Sequence, residues 1–142
     1  DGEPVTALDQ HLLHDLQQEF QLTYLFISHD LGVVRYLCDQ VALLYLGKIV
    51  EIADVNTIFE EPKHPYTQAL ISAIPEPNPE DVREQIILRG DLALRRPAQG
   101  CPFAPRCPAS KLPHCETMEP QLVDSGRRHT VACHLHPGAA TS

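Results

Sequence analysis

The stretch Leu16-Gln-Gln-Glu-Phe-Gln-Leu-Thr-Tyr-Leu-Phe-Ile-Ser-His-Asp-Leu31 changes its period midway, and that change decides the fold class. Upstream, Leu12, Leu13, Leu16 and Phe20 sit at helical spacing within Gln10–Phe20. After Phe20 the pattern breaks, and Thr23–Ser28 is a β-branched and aromatic run suited to a buried strand. Asp30 is then placed to cap a helix over Leu31–Cys38, with Val33, Val34 and Leu37 as its apolar face and Cys38 as core filler. Val41–Leu46 reads as a second strand, and Gly47-Lys48 turns it back into Ile49–Ala53 as a hairpin. The expectation is an α/β layer with an antiparallel edge. Asp54 is placed to cap a short helix ending near Glu60, and His64-Pro65 starts another over Tyr66–Ile74. The proline run from Pro75 to Pro79 stops that helix.

Composition divides the chain. Its 142 residues, 43% hydrophobic and 21% charged, suffice for one modest core. Residues 1–80 hold 3 Lys+Arg against 13 Asp+Glu, whereas residues 81–142 hold 8 against 6. An acidic body argues against a nucleic-acid partner. Twelve of the 13 prolines fall between Pro62 and Pro137, so long regular elements are excluded there. No run reaches the roughly 18 consecutive apolar residues of a spanning helix, which leaves membrane contact to a partner.

Four cysteines cluster as Cys101-x5-Cys107-x7-Cys115-x17-Cys133, each beside proline, glycine, histidine or arginine. Thiols on such loops are free to converge, and four thiolates together suggest a metal or iron–sulfur site. Two disulfides are the alternative, with three possible pairings. Asp1-Gly2-Glu3-Pro4 has neither the basic nor the apolar part of a secretory signal, so a reducing compartment is expected and disulfides are disfavoured. Neither x5 nor x7 matches the paired knuckles usual for zinc, and spacing alone leaves the ion open. His114, His129, His134 and His136 read as surface groups or as groups behind the ligands. A bound ion would supply order that a proline-broken tail with few large apolar residues lacks.

Polar groups at strand ends often serve ligands in open α/β sheets, and Ser28-His29-Asp30 follows a predicted strand directly. These three are not a hydrolase triad, because consecutive side chains diverge. Three ordered blocks, Glu3-Pro-Val-Thr-Ala-Leu-Asp9, Leu16–Leu31 and Gly47-Lys-Ile-Val-Glu51, together resemble the nucleotide-binding subunits of ABC transporters. His64-Pro65-Tyr66-Thr67 with Leu70, Ala73 and Ile74, and the four-cysteine tail, are similar to the oligopeptide and dipeptide permease branch.

The resemblance implies a fold: residues 1–60 as the C-terminal part of a P-loop ATPase domain, and 61–142 as a small loop-rich four-cysteine extension. It implies roles as well. Glu3 matches the general base that polarises the attacking water, His29 the switch residue at the γ-phosphate, and Thr6–Asp9 the D-loop that meets a second ATP-binding subunit, identical or not. ATP with Mg²⁺ is the implied cofactor of a complete subunit, and a [4Fe–4S] cluster that of Cys101, Cys107, Cys115 and Cys133, with zinc as the alternative. Transmembrane permease subunits are the implied partners, at the cytoplasmic face of the membrane.

The departures carry expectations of their own. Gly2 stands where that family has an Mg²⁺-shell Asp, and the chain is about seven residues shorter between Asp9 and Leu12, close to two helical turns. No G-x4-G-K-[ST] loop and no Leu-Ser-Gly-Gly-Gln-type signature occurs. The chain therefore reads as the C-terminal portion of a longer subunit, inactive by itself. The alternative is a non-catalytic metal-binding interaction module that has lost nucleotide chemistry.

Overall fold

The computed structural model describes residues 7–75, 84–88, 99–109 and 112–136. The chain divides into two compact units, one ending at Asp39 and the other starting at Gln40.

In the first unit, α1 (Ala7–Phe20) ends where Gln21 turns left-handed at φ 55° and the Leu22 amide reaches back to the Gln17 carbonyl at 3.3 Å. That six-to-one bond closes a helix end without glycine. The second helix, α2 (Leu31–Leu37), starts as its sequence predicts: the Asp30 carboxylate accepts from the amides of Gly32 (2.9 Å) and Val33 (3.2 Å). The rings of His11 on α1 and Tyr36 on α2 meet edge-on at 6.1 Å. Between the helices the expected buried strand at Thr23–Ser28 is not formed: Leu22–Ile27 lacks regular structure, and Leu25 and Ile27 are 92% and 91% exposed. A strand needs a neighbour for its amides and carbonyls, and no described strand in this unit supplies one.

The second unit is built on a hairpin. β1 (Gln40–Tyr45) and β2 (Lys48–Asp54) pair antiparallel, with Tyr45 opposite Lys48. Leu46 and Gly47 form the two-residue turn at φ 47° and 77°, the doubly left-handed pair that suits strand twist and that Gly47 makes easier. The register slips between Leu43, opposite Glu51, and Leu44, opposite Ile49, which leaves Val50 as a bulge. In consequence two successive side chains, Val50 and Glu51, are both buried.

Two short helices follow, α3 (Val55–Glu60) and α4 (Pro65–Ser72). Asp54 occupies the cap position of α3 but its side chain makes no capping bond, so its predicted role is positional only. His64 does cap α4, its Nδ1 accepting the Tyr66 amide at 3.1 Å, and Pro65 follows at the first helical position. Beyond a 3₁₀ turn at Ala104–Arg106 and the single-turn α5 (His114–Thr117), the strands β3 (Val123–Asp124) and β4 (Thr130–Val131) complete a sheet ordered β1-β2-β4-β3. Every pairing in that sheet is antiparallel. What is seen is thus a mixed helix and strand structure with one small antiparallel sheet.

Candidate functional site

Glu3 and Thr6 lie outside the described residues, so the expected catalytic carboxylate has no geometry here. Asp9 falls in the first turn of α1 rather than in a loop. His29 is exposed, between Ser28, whose Oγ accepts the Asp30 amide at 3.0 Å, and the capping Asp30 itself. That short loop fixes the backbone on both sides of His29 and leaves its ring in solvent.

The organised chemistry lies in the second unit. Glu51 is fully buried at 0% exposure, and a buried carboxylate is tolerable only where donors surround it. Its Oε1 accepts from the Lys63 amide at 2.8 Å and from His129 Nε2 at 2.5 Å, and its Oε2 accepts from the His64 amide at 3.0 Å. His129 is 1% exposed, which excludes the surface half of its reading. Nearby, Lys63 Nζ donates to Ser125 Oγ at 2.7 Å and to the Ser125 carbonyl at 3.3 Å, while His136 Nε2 donates to the Lys63 carbonyl at 3.0 Å. Burial pushes the His64 imidazole down to about 4, against the opposing pull of Glu51 and with some help from His136. It is therefore neutral near pH 7, with Nδ1 free to accept from Tyr66.

Cys101 lines one cleft with His64. Phe103, two residues past Cys101, is buried against Tyr45 (5.1 Å between ring centres), Tyr66 (5.5 Å) and His64 (5.5 Å). Gly100, at φ 92°, brings the chain so close to Glu116 that a Cβ would lie 2.5 Å from its backbone. The Cys101 amide accordingly reaches the Cys115 carbonyl at 2.8 Å. Burial pushes the Cys101 thiol up, as Cys115 and Glu119 also do, while the amides of Phe103 and Ala104 oppose the shift. The Cys133 thiol is pushed up to about 11, first by burial, with the amide of Leu135 opposing and Cys107, Cys101 and Cys115 adding to it. All four thiols thus share one electrostatic neighbourhood, whereas Cys38 belongs to the first unit. Among the described residues no group of three or more His, Cys, Asp and Glu is already set to hold a metal ion. An open cleft of about 270 Å³ adjoins Cys101 and Phe103, with Lys48 paired to Glu119 at 2.9 Å on its wall.

Residues 50–115, from the bulge to the third clustered cysteine, match the family described as the oligopeptide/dipeptide transporter, C-terminal region. That match covers 66 of the chain's 142 residues. It lies within a longer similarity. A putative peptide import ATP-binding protein of Brucella ovis is 50% identical over 139 residues, which cover 92% of this chain and 44% of that protein. The oligopeptide transport ATP-binding protein AppF of Bacillus subtilis is 44% identical over 94% of this chain and 44% of its own length. The dipeptide transport ATP-binding protein DppF of Escherichia coli is 48% identical over 92% of this chain and 41% of its own. The chain therefore spans less than half the length of the relatives it matches. Among its described residues no helix is long and apolar enough to cross a membrane.

Two of the site residues were within reach of the sequence and one was not. Glu51 closes the Gly47–Glu51 block and His64 opens the His64–Thr67 block, so both were visible as parts of motifs. His129 was not, because its partner is 78 residues away and no local pattern links them.

Proposed function

We propose that this chain is the C-terminal portion of the ATP-binding subunit of an ABC importer for oligopeptides or dipeptides, which couples ATP hydrolysis to uptake. The observation that carries this reading is the 50% identity, over 92% of the chain, to a protein named as a peptide import ATP-binding protein. Residues 1–60 would complete the ATPase domain and 61–142 would form the extension. In the complete subunit Glu3 polarises the attacking water, His29 donates towards the γ-phosphate, and Asp9 contributes to the meeting with a second ATP-binding subunit. Both chemical roles suit the residue types, since phosphoryl transfer needs an oriented water and donors for developing negative charge. ATP and Mg²⁺ belong to that complete subunit, which works at the cytoplasmic face of the membrane against permease subunits. The exposed position of His29 is what a group must have to reach a phosphate brought by another segment or subunit.

For the tail, the reading is that Cys101, Cys107, Cys115 and Cys133 hold one [4Fe–4S] cluster, with zinc as the second possibility. The shared neighbourhood of the thiols supports a joint role. When bound, such a group would cross-link the loops and keep the four sulfurs deprotonated. Nothing in the names of the relatives favours a metal-binding module without nucleotide chemistry. The test is uptake of a labelled dipeptide and of a labelled pentapeptide into proteoliposomes holding the complete subunit with its permease partners. ATP-dependent accumulation of either one, lost with Glu3→Gln, is expected; equal accumulation with and without ATP would contradict the reading.

A further inference from the structure

We infer that Glu51 is the positioning residue of the four-cysteine tail: paired with His129, it fastens the tail to β2 and so gathers the thiols through protein contacts alone. The role deepens the proposed thiol site and rests on it for its consequence, yet the fastening itself involves only protein groups.

The carboxylate is where three chain segments meet. The bulge at Val50 turns Glu51 inward. Its three donors come from elsewhere: the amides of Lys63 and His64 before α4, and the imidazole of His129 at the β3–β4 turn. That turn is held a second time, because the His129 carbonyl accepts from the amide and the hydroxyl of Ser125, both at 2.8 Å, and Lys63 Nζ holds the same serine. From His129 the chain runs through β4 to Ala132, whose amide donates to the Val50 carbonyl at 2.8 Å. Cys133 is the next residue. Its backbone is therefore placed by the rung beside Glu51.

Two of the other thiols, Cys101 and Cys115, trace back to the same group. Glu51 Oε2 fixes the His64 amide, the His64 ring forms part of the wall against which Phe103 packs, and Phe103 sets the loop of Cys101. Cys101 in turn bonds the Cys115 carbonyl. In metal-folded domains the ion does this gathering. Here a buried hydrogen-bonded pair and an aromatic plug do it, and removing one partner of such a pair leaves a buried polar group unsatisfied.

The experiment uses the complete chain, reduced and stripped of metal by a chelator, with alkylation rates of individual cysteines read by mass spectrometry. Cys38 serves as the internal reference. Cys101 and Cys133 are expected to label slowly in the wild type and on the order of 100-fold faster in Glu51→Ala, with Cys38 unchanged. His129→Ala should accelerate the same two thiols, and the double variant should add little to either single change, because both remove one interaction. Should Glu51→Ala also expose Cys38, general unfolding is the cause, and His129→Ala, which deletes one donor of three, then decides. Labelling of Cys101 and Cys133 that stays slow in both variants, or fast in the metal-free wild type, would overturn the inference. Reconstitution with ferrous iron and sulfide separates it from the cluster reading: a wild type that takes up no iron while Glu51→Ala still frees the thiols removes the cluster and leaves the positioning role standing.

Discussion

The two units of the chain satisfy their side chains in opposite ways. From Gln40 onward, Ile58, Phe103 and Val131 are essentially inaccessible, and even the polar Glu51, His64, Thr67 and His129 are buried. Up to Asp39, Val34 is the one buried hydrophobic residue among those described, while Leu12, Phe20, Leu25, Ile27 and Tyr36 are exposed. The contrast teaches that Thr23–Ser28 has the composition of a core strand without the neighbours that make one, whereas the tail, with few large apolar residues, orders itself by one aromatic plug and a buried hydrogen-bonded pair.

The largest effect expected from breaking this contrast is in the second unit. Phe103→Ala removes the plug shared by Tyr45, His64 and Tyr66 and should cost about 3–5 kcal/mol in denaturant unfolding of that unit. A loss under about 1 kcal/mol would mean that the tail is held by something other than packing. Acid gives the next effect. His64 is held neutral, its folded value near 4 lying below the ordinary 6.5, so the unfolded chain binds more protons between those values. Stability is then full above about pH 6.5 and falls as pH drops towards 4, by about 3 kcal/mol in all at 1.36 kcal/mol per unit. His64→Asn retains a capping acceptor and removes the titration, so its unfolding midpoint should show a shallower fall over that window. An unchanged slope would assign the acid response to other groups.

Local chemistry accounts for what the sequence made legible. Asp30 before Leu31, Gly47 between two apolar runs, and His64 ahead of Pro65 each act on backbone within three residues; Asp30 and His64 stand where their patterns predict, and the turn falls one residue early, at Leu46-Gly47 rather than Gly47-Lys48. Thr23–Ser28 failed as a strand because strand formation depends on a neighbour that composition does not specify. The bulge at Val50 was invisible for a different reason: it depends on register against β1, and it breaks the alternation from which Glu51 would have been assigned to one face. The cysteine spacing announced a shared neighbourhood, but the Glu51–His129 pair that gathers it spans 78 residues and leaves no periodic trace.

Smaller effects test the first unit. Asp30→Ala removes both amide acceptors at the start of α2 and should cost about 1 kcal/mol, read as lost helicity by circular dichroism. Leu25→Asp should change the stability of the chain itself by no more than about 0.5 kcal/mol, because that side chain is 92% exposed. A loss comparable to that of Phe103→Ala would show that Leu25 is buried after all and would erase the contrast between the units.

The central claim, that these residues belong to the ATP-hydrolysing subunit of a peptide importer, is tested most directly by phosphate release from the complete subunit carrying His29→Ala. Turnover should fall by about 10²–10³ with ATP affinity nearly intact, the loss typical of removing one transition-state donor. Turnover equal to wild type, with the same affinity, would contradict the account.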